Sequence, residues 1–313
     1  MLVRLEGGRI VDPVHDRDEV GDLYVEAGHI VEAPGKGRKP DETHDVTGKI
    51  VMAGAIDVHS HIAGANVTLG RQLMPELPDL AARGGQPIAP SPASWGAYAT
   101  GIRYAEMGYT TAIEPALIPT HAIEAHIELA SIPIIDVGAL AILGNDDFTL
   151  GLLRDGKSGD ELKDYVAWTL RHSRALGLKV INAGGSEAFK FNARSFGFSD
   201  EVPAYGVTSR QIVEALQQAV ADLGVRHPPH VHCNNLGIAG NVETAIATIE
   251  ATQGLPIHFA HIQFYGYGKQ GERGLSSGAP RLMEAVNGHK NATVDVGQVM
   301  FGQTVTISGD ILR

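Results

Sequence analysis

A single cysteine, Cys233, stands in 313 residues, so no internal disulfide framework can form, and the usage fits a reducing compartment, with the cytoplasm as the default. Long apolar runs are missing too. Nothing approaches the roughly 20 residues that a membrane helix needs, and Met1-Leu2-Val3-Arg4-Leu5-Glu6 carries no basic stretch leading into an apolar one. Positive charge is scarce: 25 lysines and arginines against 36 aspartates and glutamates leave a formal −11, which argues against nucleic acid or an anionic membrane as the main partner. No internal repeat or low-complexity segment interrupts the chain. What is there is ample, since 43% hydrophobic residues support a sizeable core.

The first 50 or so residues read as short strands, Leu2–Leu5, Arg9–Val11, Asp22–Glu26 and His29–Glu32, with turns at Gly7-Gly8 and Ala27-Gly28. From Ile56 onward, strand-like and helix-like segments alternate, the signature of parallel βαβ units. Seven apolar runs qualify as barrel strands: Ile56–His61, Thr110–Glu114, Ile132–Leu140, Leu178–Asn182, His230–Cys233, Ile257–Ile262 and Ala292–Val296. Between them, Glu161–Leu176 is read as a helix stopped by Gly177, and Ser209–Leu223 as one capped by Thr208 and stopped by Gly224. Asn241–Thr252 and Arg281–Val286 are further helical candidates. The Pro- and Gly-rich insertion Gly64–Ser94 is expected to be an active-site loop. The fold expected is α/β, a distorted (β/α)8 barrel that stops after about seven strands. Residues 53–313 form that barrel, and residues 1–52 form the N-terminal part of a β-sandwich annex.

Chemistry concentrates at the ends of these strands. Side chains alternate across a strand, so His59 and His61 in Asp57-Val58-His59-Ser60-His61 fall on one face and their imidazoles converge. Two neutral imidazoles there make a half-site for Zn²⁺. Asp57 shares that face as a ligand or a supporting partner. His230-Val231-His232 repeats the spacing, and His258 and His261 follow on the next strand. Histidines at the ends of three separate barrel strands are a strong signal, because the fold gathers those ends on one rim. His232 and His261, nearest the rim, are the expected ligands; His230 and His258 lie further back and suit a buried or supporting role. Lys179 could be an ordinary solvated lysine. Facing metal ions, it would instead lose its proton easily and could capture CO₂ as a bridging carbamate. Asn234 and Asn235, just past the second histidine pair, are candidate substrate hydrogen-bonders. The lone thiol of Cys233 is more simply structural than a ligand, and Phe264-Tyr265-Gly266-Tyr267-Gly268 reads as a wall, a lid or an ordinary surface loop.

The glycine-turn strands followed by Gly-Lys-Ile-Val-Met-Ala-Gly-Ala-Ile-Asp-Val-His-Ser-His resemble the amidohydrolase superfamily. The segments Tyr104–Thr110, Lys179–Gly185, His230–Gly237 and His261–Gly266 narrow the resemblance to the amidohydrolase-type subunits of formylmethanofuran dehydrogenases, and to their bacterial formyltransferase/hydrolase relatives. The resemblance implies a binuclear site for two Zn²⁺ held by His59, His61, Lys179, His232 and His261. Lys179 is there implied to be carboxylated, and Lys179 and His232 to sit at the reacting centre. It also implies hydrolysis, or the reverse formation, of the N-formyl group of a methanofuran-like carrier, with release of formate, inside a complex with other subunits. In that group the last ligand is an aspartate after an eighth strand. Asp295, in the seventh, and Asp310 lack that context, so the chain is expected to be an incomplete subunit. Two rival expectations stand beside this one: a hydantoinase- or dihydroorotase-like cyclic amidase on the same metals, and a non-catalytic piece with a half-formed site.

Overall fold

The structure, a computed structural model, describes residues 1–72, 97–271, 274 and 276–297. The chain divides into two compact units, Met1–Ile56 and Asp57–Arg313.

The first unit carries β1 (Leu2–Asp12), β2 (Arg17–Glu26), β3 (His29–Val31), β4 (Glu42–Asp45) and β5 (Ile50–Met52) in one sheet. β1 pairs antiparallel with β2 and parallel with both β4 and β5. Ala27 and Gly28, both at positive φ, turn β2 into β3 as expected. Gly7-Gly8 is not a turn. The register between β1 and β2 shifts from Leu5 to Gly8 and the strand runs on, so the two short strands read from the sequence are one strand with a bulge. Gly7 takes φ +74°, and its N–H is donated to Asp22 Oδ1 at 3.1 Å while Arg4 holds Oδ2 at 2.6 Å. A glycine that supplies the positive φ of a bulge looks in sequence like a glycine that ends a strand.

In order of sequence, the larger fold is built from β6 (Ala55–Asp57), α1 (Ala65–Gln72), α2 (Ala97–Glu106), β7 (Tyr109–Leu117), α3 (Ala122–Ala130) and β8 (Asp136–Leu143). There follow α4 (Asp147–Arg154), α5 (Asp160–Ser173), β9 (Gly177–Ile181), α6 (Gly185–Phe189), a small hairpin of β10 (Glu201–Val202) and β11 (Val207–Thr208), and α7 (Ser209–Asp222). The chain then gives β12 (His230–His232), α8 (Val242–Glu250), β13 (Ile257–Phe259), the hairpin of β14 (Tyr267–Gly268) and β15 (Ser276–Ser277), α9 (Ala279–Gly288) and β16 (Ala292–Val294). The sheet order is β16-β13-β12-β9-β8-β7-β6, seven strands, one for each apolar run identified in the sequence. The pairings of β7 with β8, β8 with β9, β9 with β12, β12 with β13 and β13 with β16 are all parallel. Helices cover the central strands, which is why β8 and β9 read as continuous apolar runs rather than alternating ones.

The main core lies between α5, α7, α8 and strands β9, β12 and β13, with Leu162, Leu178, Ile212, Leu216, Ile249, Ile257 and Phe259 fully buried. α7 starts as its sequence predicts: Thr208 Oγ1 accepts from Gln211 N at 3.2 Å, and Gln211 Oε1 accepts from Thr208 N at 2.8 Å. α5 ends earlier than expected. It stops at Ser173 because Arg174 takes the left-handed conformation, φ 52°, and Gly177 is already the first residue of β9. Gly177 serves packing, since a Cβ there would come within 2.9 Å of the His227 side chain. Of the expected loop Gly64–Ser94, residues 73–94 lie outside the described residues, as does Asp310.

Candidate metal centre

The site grows from the ends of β6, β9, β12, β13 and β16. Past β6 the chain leaves regular pairing but keeps one ladder bond, Ser60 N to Ile113 O at 2.9 Å, so the His-x-His segment stays anchored to β7. Asp57 Oδ1 accepts the His59 N–H at 3.0 Å and Asp57 Oδ2 accepts from Tyr104 Oη at 2.8 Å; the tyrosine oxygen also meets Ser60 Oγ. Asp57 therefore supports the backbone of the motif. Burial of the Tyr104 phenol pushes its pKa up to about 12, so it remains a hydrogen-bond donor across the working pH range.

The imidazoles of His59 and His61 meet edge to face with centroids 5.3 Å apart. His261 lies 5.0 Å from His59, and His232 4.7 Å from His261. Burial lowers the pKa of His59, His232 and His261, His261 to about 3, with the neighbouring histidines and Lys179 adding to the effect at His232 and His261. These rings are neutral at pH 7 and carry free lone pairs, the state in which histidine ligates a metal. Lys179 is fully buried and its Nζ has no hydrogen-bond partner among the described residues. Burial, partly countered by Asp295, Cys233 and Glu114, brings its pKa down to about 7. Buried amines are normally paired, so an unpartnered one among neutral imidazoles fits a group that receives its partner from outside the chain. His261 Nδ1 and His230 Nδ1 are likewise buried without a partner.

A second constellation shares His59. Its Nδ1 lies 2.9 Å from His230 Nε2 and 3.5 Å from Asp295 Oδ2; His230 Nε2 and His258 Nε2 approach the same oxygen at 3.3 and 3.0 Å. Asp295 Oδ1 accepts the backbone N–H of His261, whose own φ is 35°. Burial alone would raise the Asp295 pKa, but hydrogen bonds from His230, His258, His59 and the His261 backbone outweigh it and hold the carboxyl well below the usual range. His59, His230 and Asp295 offer three ligand atoms within 4.8 Å of one another, enough to hold one ion. His61, His59, His261 and His232 thus form one run of ring contacts, with Lys179 close enough to act on the charge of His59, His232 and His261. Among the described residues, the group whose ligand atoms converge is His59 with His230 and Asp295, the last two set aside by strand-end spacing.

Asn234 and Asn235 part company. The Asn234 amide is buried and donates to Ala183 O and Ser209 Oγ, so it ties β12 to its neighbours. Asn235, at φ 64°, lines a cavity of about 540 Å³ together with Asn182, Ser186, Phe189, Arg194, Phe196 and His232. Gly185 lines it too, and Gly184 precedes that glycine in a tight approach. A Cβ on Gly184, φ +70°, would come within 2.4 Å of Val202, and one on Gly185 within 2.5 Å of Asn182. Tyr265, in the aromatic and glycine segment, is no lid: it is fully buried, with its ring stacked 5.7 Å from that of His261. Cys233 is buried, and desolvation pushes its thiol up to about 12, as expected of a structural cysteine. Glu114, inside β7, carries no spacing signal in the sequence, yet its buried carboxylate reaches His61 Nδ1 at 3.2 Å.

A profile of the amidohydrolase family matches residues 42–313. The chain is 53% identical to one subunit of the formyltransferase/hydrolase complex Fhc of Methylorubrum extorquens, over all of this chain and 58% of that protein. It is 34% identical to the protein FwdA of Methanocaldococcus jannaschii, over 98% of this chain and 56% of that one. The chain thus spans little more than half the length of these relatives. The crystal structure of the formyltransferase/hydrolase complex (FhcABCD) from Methylorubrum extorquens with methylofuran superposes with TM-score 0.90 and 51% identity, covering 100% of this chain and 57% of that one.

Proposed function

The chain belongs to the amidohydrolase family, and from that membership we propose that it hydrolyses, or in reverse forms, the N-formyl group of a furan-type carrier, as a subunit of a larger complex. The relatives supply the chemical class: one is a subunit of a formyltransferase/hydrolase complex, and the superposed complex binds methylofuran. The observation that carries the reading is the buried, unpartnered Nζ of Lys179 facing neutral imidazoles.

Two Zn²⁺ would be held by His59, His61, Lys179, His232 and His261, with Lys179 as a carbamate. Zinc at such a centre supplies Lewis acidity and makes water acidic enough to attack at neutral pH. The chain's own residues do the rest. Desolvation keeps His232 and His261 unprotonated and therefore able to ligate. The cavity beside His232 takes the carrier, with Phe189 and Phe196 offering faces for an aromatic ring and Asn235 on its wall. Asp295, ionised and in reach of the imidazoles of His59, His230 and His258, is the carboxylate that orients those rings at the centre.

The experiment is elemental analysis with substrate profiling of the purified chain, alone and with its partner subunits. About two zinc per chain and formate release from a formylated furfurylamine carrier are expected. Cleavage of cyclic ureides with formyl-amines untouched would move the assignment to the cyclic amidases, and a folded chain with metal content near zero would leave a non-catalytic subunit. The His59, His230 and Asp295 cluster favours a second arrangement, in which His230 replaces His232 as ligand. Zinc stoichiometry in His230→Ala and His232→Ala separates the two: the ligand variant loses metal and the other keeps it.

A further inference from the structure

We infer that Glu114 is a positioning residue, which fixes the tautomer of His61 and the path of the turn after it so that Nε2 of that ring is free to bind metal. The inference rests on the reading of His61 as a ligand given above.

Three backbone donors and one imidazole nitrogen converge on one buried carboxylate. Glu114 Oε2 accepts from Ile62 N at 2.7 Å and Ala63 N at 3.1 Å; Oε1 accepts from Ala116 N at 2.9 Å and stands 3.2 Å from His61 Nδ1. The side chain is 1% exposed. Three of the donors are backbone N–H groups, which cannot reverse their role, so both oxygens are already held as acceptors, two bonds on Oε2 and one on Oε1. The place left on Oε1 faces His61 Nδ1, which is thereby assigned the hydrogen, with the ring's lone pair on Nε2. The ring itself is half-exposed and sits 5.3 Å from that of His59, facing the centre.

The local sequence explains how the acid reaches this place. Glu114-Pro115-Ala116 interrupts the pairing of β7 with β8, and the register shifts between Glu114 and Leu117. Pro115 has no N–H for the ladder, and the Ala116 N–H, released from it, folds back onto the Glu114 carboxylate. The bulge aims Glu114 across at the segment that follows β6. Glu128 braces the next residues of that segment, accepting from Gly64 N at 2.8 Å and Thr68 Oγ1 at 3.0 Å, and serves as the control.

The test uses chelator competition for zinc in the full chain, with Glu114→Gln, His61→Ala, the double variant and Glu128→Gln. Glu114→Gln should weaken zinc binding roughly 10- to 100-fold, the usual effect of losing a carboxylate behind a ligating histidine. In the His61→Ala background the same change should have little further effect, and Glu128→Gln should leave zinc affinity near that of the parent. An undiminished effect of Glu114→Gln in the absence of His61 would overturn the inference, as would no effect at all. If His61→Ala binds zinc normally, the ligand reading of His61 fails and takes the inference with it, a result distinct from the other two. A second readout needs no variant: long-range ¹H–¹⁵N correlation on the zinc-loaded chain should show His61 protonated at Nδ1 and metal-bound at Nε2. The reversed tautomer overturns the inference even where Glu114→Gln fails to fold.

Discussion

Lys179 shows what a single residue tells in sequence and in structure. Its neighbours in sequence, Leu178 and Val180, mark only a strand; the meaning lies in an amine that is buried with no partner. With its pKa lowered from 10.5 to about 7, the folded chain binds fewer protons than the unfolded one between those values. Stability of the metal-free chain should therefore rise with pH from about 7 towards 10, because the unfolded state holds the extra proton there. Lys179→Met should flatten that rise and raise the apo melting temperature, since a buried unpaired amine is replaced by an apolar chain of similar length. The same variant should lose zinc and activity together. Melting curves across pH decide it, and a Met variant with the parent's pH dependence would refute the assignment. Tyr104→Phe tests the neighbouring network: loss of its bond to the Asp57 carboxylate should cost about 1.5–3 kcal/mol in chemical denaturation. The histidine pairs were legible because spacing of two on a strand places two rings together. Glu114 and Asp295 were not, since each is a lone acid whose partners come from other strands.

At the scale of elements, all seven barrel strands were legible as apolar runs, because strands packed under helices bury continuous apolar stretches. Glycines were harder. Gly7 supplies a bulge and Gly177 a close approach, and both look in sequence like punctuation. Gly101, in the middle of α2, shows how packing overrides propensity. Alanine there should gain about 1 kcal/mol of helix propensity. A Cβ, however, would lie 2.3 Å from the Pro133 carbonyl oxygen and 2.9 Å from Ile132, and a backbone oxygen cannot swing aside as a side chain can. Overpacking of that kind costs about 1–3 kcal/mol, so Gly101→Ala should be destabilising on balance. Thermal denaturation checks the sign, and a stabilised variant would show that the contact relaxes freely.

For the molecule as a whole, the sheet order sets β6 and β16 at opposite ends of seven strands. Yet His59, two residues past β6, and Asp295, one residue past β16, come within 3.5 Å of each other. A flat sheet could not bring its edges together, so the strands must curl around the site, and the site in turn clips the first strand to the seventh. No count of apolar runs could reveal this, because contact between the two ends depends on the twist accumulated over all the strands between them. It has a thermodynamic consequence. Bound zinc should stabilise the chain by about 4 kcal/mol at a thousandfold excess over its dissociation constant, and a chelator should remove that increment. Asp295→Asn should cost about 1.5–3 kcal/mol, because the imidazoles of His59, His230 and His258 lose a charged acceptor. Both perturbations act through His59, so their effects should couple rather than add, with an interaction energy of about 0.5–3 kcal/mol. Denaturation of parent and variant, each with and without chelator, measures that term directly. Strict additivity would mean that metal and carboxylate do not share His59, and the clip between the first and seventh strands would then be the work of Asp295 alone.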